Sequence, residues 1–125
     1  MIRSGAARLH GWIAWLFVVA VVVQVFLAGL AIFRATTDFG LHIEFGYTVM
    51  GLITLAVLLT AVIGGLPSRT VRLSLLLLVL YVVQTTLPQA KATFPAIAAL
   101  HPVNALALLA LGVIHARRAA VAPAA

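Results

Sequence analysis

Four histidines, His10, His42, His101 and His115, each stand at or near the end of a long apolar run. A neutral imidazole is the commonest protein ligand for metals and a frequent axial ligand of haem iron. Haem needs only two such ligands, one on each face of the ring. His42 and His101 begin the second and fourth apolar runs, at matched depth, and histidines are costly to keep inside so apolar a chain. They are the expected axial ligands of a first haem b. Zinc normally asks for more ligands than two imidazoles, and the chain offers only two carboxylates, Asp38 and Glu44. The absence of cysteine excludes thiolate-bound haem, iron–sulfur clusters and disulfides.

Neighbouring residues fit such a pocket. Gly46 and Ala105 each lie four residues after a histidine, one turn along the same helix face, and leave room for a porphyrin. Pro102 removes a backbone donor directly after His101 and can bend the helix there. Arg34 and Asn104 are placed to meet haem propionates. Glu44 or a backbone carbonyl would hold an imidazole in one tautomer. His101 and His115 are fourteen residues apart, about 21 Å of helix rise and nearly four turns, so they share a face at opposite depths. His10 and His115, beside arginines, are read first as residues of the lipid headgroup region. The alternative makes them a second ligand pair, with Gly112 one turn before His115 giving space for a second haem.

Four elements must position these residues. The 125-residue chain is 65% hydrophobic and has ten charged side chains, too few for the wet surface of a soluble domain. Gly11–Phe33, Ile43–Leu66, Thr70–Leu87 and Pro95–Ala116 are apolar runs of about 18–24 residues, and about 20 residues cross a bilayer core. A signal peptide is the other reading of Arg3 and Arg8 before an apolar run. That run is longer than a signal core, so a true first span is expected.

The expected fold is all-α, a single domain over residues 1–118. Helices at about 11–33, 39–66, 70–87 and 95–117 form an up-down-up-down antiparallel bundle, because short connections force neighbours to run antiparallel. Thr36, Thr37, Asp38 and Gly40 carry cap and turn chemistry before the second helix. Gly64, Gly65, Pro67 and Ser68 make the next turn, Pro88 closes the third helix, and Pro95 opens the fourth. Residues 119–125 are expected to be a disordered tail. Helix 3, nearly all Leu and Val over Val71–Val83, is expected to serve packing and lipid contact. Gln24 and Gln84 are polar at membrane depth and should face inward, in an interhelical hydrogen bond or on a ligand.

Orientation follows from the basic residues. Arg3, Arg8, Arg69, Arg72, Arg117 and Arg118 fall on one side and Arg34 and Lys91 on the other, which places both termini in the cytoplasm. The net charge of +6 is thus a topology signal rather than a nucleic-acid patch.

The segments LHGWIAWLFVVAVVVQVFLAGLAIF, DFGLHIEFGYTV and ALHPVNALALLALGVIHARRA resemble a family of small uncharacterised bacterial four-helix membrane proteins, most specifically in HPVNAL around His101. The arrangement is also similar to one half of haem A synthase and to b-type membrane cytochromes, which carry a histidine near the outer start of the second and fourth helices. That resemblance implies His42 and His101 as axial ligands, and Asp38, four residues before His42, as the counterpart of a carboxylate found there. It implies a bacterial cytoplasmic membrane location.

The expected function is bis-histidine haem b binding, with one haem or two, serving electron transfer to a redox partner or quinone rather than substrate chemistry. The chain would work as a homo-oligomer or as a subunit of a larger complex. Two rivals remain: a non-haem structural or assembly subunit, and a small transporter or proton-relay protein. Nucleophilic catalysis has no support, since no serine stands beside a histidine–carboxylate pair.

Overall fold

The structure, a computed structural model, describes residues 2–34 and 38–121. Thr36 and Thr37, expected to cap the second helix, and residues 122–125 of the expected tail lie outside the described residues. Among the described residues six α-helices follow one another: α1 (Ile2–Phe33), α2 (Gly40–Tyr47), α3 (Val49–Ile63), α4 (Ser68–Thr86), α5 (Pro95–Ala98) and α6 (Leu100–Val121), with a 3₁₀ segment at Leu87–Ala92 before α5. There is no strand among the described residues. Arg3–Phe33, Gly40–Ile63, Ser68–Ala92 and Pro95–Ala119 are each long and apolar enough to cross a membrane, which makes this an integral membrane protein.

Several boundaries differ from those expected. α1 begins at Ile2, well before the apolar run, because the polar residues that precede it continue the helix beyond the membrane core. α6 reaches Val121, so residues 119–121, expected in the tail, are helical. Alanine-rich sequence favours this extension. The second span is interrupted at Thr48, whose hydroxyl donates to the Glu44 carbonyl at 2.6 Å. The fourth is interrupted at Ala99, three residues before Pro102, whose missing N–H removes the bond the Ala98 carbonyl would otherwise accept.

α1 packs against α3 and α6, and α4 packs against α3 and α6, which closes a four-helix bundle with the second and fourth spans on a diagonal. Its centre is an apolar plug of Phe17, Ala20, Val21, Met50, Val57, Leu77 and Leu108. In sequence every one of these falls between a polar residue near one end of its span and another near the other end. Side chains outside the bundle are large and apolar, Trp12, Phe26, Phe33, Leu52 and Leu106 among them. That is the surface lipid tails require, and it means that packing rather than water exclusion holds the helices together.

Candidate functional site: two histidine layers

All four histidines turn inward, and the bundle sorts them into two pairs. At one end His42 from α2 and His101 from α6 face each other across the diagonal, with ring centroids 6.1 Å apart and ring planes at 74°. At the other end His10 from α1 and His115 from α6 meet edge to face, with centroids 5.0 Å apart at 88°. The apolar plug separates the layers.

The outer layer is built from backbone carbonyls. His42 Nδ1 lies 3.0 Å from the Gln24 carbonyl oxygen, and His101 Nδ1 lies 2.9 Å from that of Gln84. A carbonyl oxygen only accepts, so each Nδ1 carries the hydrogen and each Nε2 carries the lone pair. This anchoring of the far ring nitrogen by a backbone carbonyl is the usual support of a metal-binding imidazole. Glu44, the other anchor considered from sequence, is exposed and takes no part. The Gln84 carbonyl is open for a local reason. Its helical partner would be the N–H of residue 88, and residue 88 is proline. That proline stands in the sequence and frees the carbonyl, while the side chain that meets it is set by how the helices are rotated.

Both glutamines do more than lend a carbonyl. Gln24 Nε2 donates to the His42 carbonyl at 2.8 Å and lies 3.4 Å from His42 Nε2. Gln84 Nε2 lies 3.3 Å from His101 Nε2, and Asn104 Nδ2 donates to Gln84 Oε1 at 2.7 Å and to the Leu80 carbonyl at 2.9 Å. Gly46, named for porphyrin room, makes space for Gln24: a Cβ there would sit 2.7 Å from Gln24 Nε2. Asn104, named for a propionate, is engaged with Gln84. Ala105 lies half-buried one turn beyond His101. Arg34 lines a cavity of about 470 Å³ together with His42, Asp38 and Phe39 between the first and second spans.

The inner layer is drier. His10 and His115 are 0% and 1% exposed. Their rings are enclosed among the helices rather than turned to the bundle's exterior, and α1 and α6 both extend past them. Thr60 Oγ1 donates to the Ala56 carbonyl at 2.7 Å, which leaves it to accept from His10 Nδ1 at 3.0 Å. His10 Nε2 is then an acceptor, and His115 Nε2 donates to it at 3.1 Å, with Ser74 Oγ 3.3 Å away. The space beside Gly112 is taken by the Phe17 ring, 3.0 Å from where a Cβ would stand.

Helix α4 was expected to serve packing and lipid contact, with Gln84 facing inward. Ser74 and Gln84 supply partners to both layers, with Leu77 and Tyr81 between them at steps of three and four residues along one face. Gln84's inward face followed from its polarity at membrane depth, whereas Ser74, a lone small hydroxyl in a leucine-rich run, carries no periodic signal, and its place beside His115 was not legible from the sequence. Among the described residues no three or more His, Cys, Asp or Glu side chains converge as a metal cluster, so each site can offer a metal only a pair of histidines.

These features define a four-helix bundle of membrane-spanning helices with two histidine layers, one fully buried and one half-buried. Residues 24–91 match a family described as a family of unknown function (DUF6220), and the chain belongs to that family. The matched stretch includes Gln24, His42 and Gln84 but ends before His101. No curated protein and no solved structure matches the chain.

Proposed function

We propose that this protein binds one haem b through His42 and His101 and serves electron transfer within the membrane. The observation that carries the reading is the spacing of the outer rings. Two imidazoles on one iron, each with a metal–nitrogen bond of about 2 Å, hold their centroids about 6 Å apart, and these stand at 6.1 Å. Both also have Nδ1–H tied to a backbone carbonyl, which leaves the two Nε2 lone pairs as the donor set axial ligation requires.

Bound there, the haem would supply one-electron chemistry, with both axial positions filled and no place for substrate on the iron. The chain's own contribution is to fix the tautomers and set Arg34 in the cavity beside His42, where a propionate would meet its guanidinium. Gly46 and Ala105 are the small neighbours of the two ligands.

His10 and His115 remain candidates for a second haem. Their Nε2 atoms stand 3.1 Å apart, and an iron between them needs about 4 Å, so the pair would have to part. We read them as bonded to each other, with a single haem per chain. In the membrane, the reading has the helices alternate in direction, with both termini on the arginine-rich cytoplasmic side of a bacterial cytoplasmic membrane.

One observation favours a non-haem assembly subunit instead: every histidine already has polar partners within the protein. An oxidised-minus-reduced visible spectrum of the detergent-purified protein, with a pyridine haemochrome count, separates the two. The expected result is the sharp reduced bands of six-coordinate haem b at one haem per chain, lost in His42→Ala and in His101→Ala. A colourless protein from haem-replete cells that takes up no added haemin would overturn the haem reading.

A further inference from the structure

The two outer histidines carry the same small constellation on opposite sides of the bundle. In each, the glutamine whose carbonyl holds Nδ1 also brings its carboxamide nitrogen to Nε2, at 3.4 Å for Gln24 on His42 and 3.3 Å for Gln84 on His101. The orientation of both carboxamides follows from their other partners. Gln24 Nε2 faces the His42 carbonyl, which only accepts, and Gln84 Oε1 faces the Asn104 amide, which donates. Each NH2 group therefore points at an imidazole lone pair.

We propose that Gln24 and Gln84 are caps on the outer site, positioning residues that close the two Nε2 lone pairs when no metal is bound and swing aside when iron enters. The proposal rests on the haem reading of His42 and His101. A bare lone pair buried among apolar helices is destabilising, and a carboxamide donor satisfies it. The caps are unequal. Gln84 is held by Asn104, whereas residue 45, the counterpart of Asn104 three residues after His42, is a phenylalanine. Gln24 Oε1 is buried with no hydrogen-bond partner among the described residues. The two caps are thus held differently, Gln84 through its oxygen by Asn104 and Gln24 through its nitrogen by the His42 carbonyl.

The test is haemin titration of the full-length protein in detergent, comparing wild type with Gln24→Leu and Gln84→Leu. Both substitutions keep the backbone carbonyls, so the Nδ1 anchors survive, and both nearly keep the side-chain volume. Removing a cap leaves a lone pair that only iron satisfies, so each variant should bind haemin about fivefold to tenfold more tightly, with unchanged reduced bands. Asn104→Leu should release only the Gln84 cap and tighten binding to a smaller extent. Glutamines that merely hold the helices together would give weaker binding and lower melting temperatures, which overturns the caps while leaving the haem site standing. Absence of haemin binding in wild type and in every variant overturns the haem reading, and the caps with it. If a leucine variant fails to fold, wild type decides the matter by NMR: the Gln24 and Gln84 carboxamide resonances must move when gallium protoporphyrin is added. Resonances that stay in place while the porphyrin binds overturn the proposal.

Discussion

At the residue scale, the outer layer depends on side chains that fit one another closely. Gly46 is the tightest case, because a methyl group there would stand 2.7 Å from Gln24 Nε2. Gly46→Ala should displace that carboxamide and cost about 1–3 kcal/mol, the usual range for overpacking, read as a lower melting temperature by Trp12 and Trp15 fluorescence. A wild-type melting curve would show that Gln24 has free space elsewhere. At the inner layer, His115→Ala removes the donor to a fully buried His10 nitrogen and opens a cavity. A loss of about 2–4 kcal/mol is expected, and under the proposed function the bands of a haem at His42 and His101 should be retained because the apolar plug separates the layers. Loss of those bands would mean that the layers are coupled. The histidines themselves were legible as chemistry from type and position. Their partners were less so: Gln24 and Gln84 were readable as inward-facing, but which atoms they meet depends on helix rotation, which an apolar run leaves open.

At the element scale, prolines and hydroxyl residues shape the spans. Pro88 opens the Gln84 carbonyl to His101, and Pro102 accompanies the break at Ala99. The break at Thr48 places two backbone carbonyls, those of Gly46 and Tyr47, within reach of the Tyr81 hydroxyl, at 3.0 and 3.4 Å. Tyr81→Phe should therefore weaken the contact between the second and third spans by about 0.5–1.5 kcal/mol, measured as a shift in unfolding by denaturing detergent, with the fold unchanged by circular dichroism. An unchanged midpoint would mean that Thr48 alone satisfies the interruption. The prolines stood in the sequence, whereas the Tyr81 contact did not, since it joins residues more than thirty positions apart.

At the scale of the whole molecule, the four spans bring Arg3, Arg8, Arg69, Arg72, Arg117 and Arg118 toward the inner histidines and Arg34 toward the outer ones. The native chain has no cysteine, which makes single-cysteine labelling clean. Cysteines placed at Ser4 and Ser68 should react with a membrane-impermeant maleimide only after cells are opened, and one at Thr93 should react in intact cells. The reverse pattern would invert the proposed orientation and put the outer layer on the cytoplasmic side.

Composition and the lengths of the apolar runs alone determined that this chain is membrane-spanning helix, roughly where each span lies, and that its histidines are the residues with chemistry to offer. Those conclusions rest on local physics: about 20 apolar residues match a bilayer, and backbone groups in lipid must bond within their own helix. Tertiary structure decided the rest. It set which histidine meets which, at 6.1 Å in one layer and in direct hydrogen bond in the other. It buried the inner pair that the flanking arginines had suggested was interfacial, and it drew α4 into both layers. Helices that are apolar all round carry no stripe to announce their inward face, so their rotation is settled only when four of them pack and each buried polar atom must find a partner.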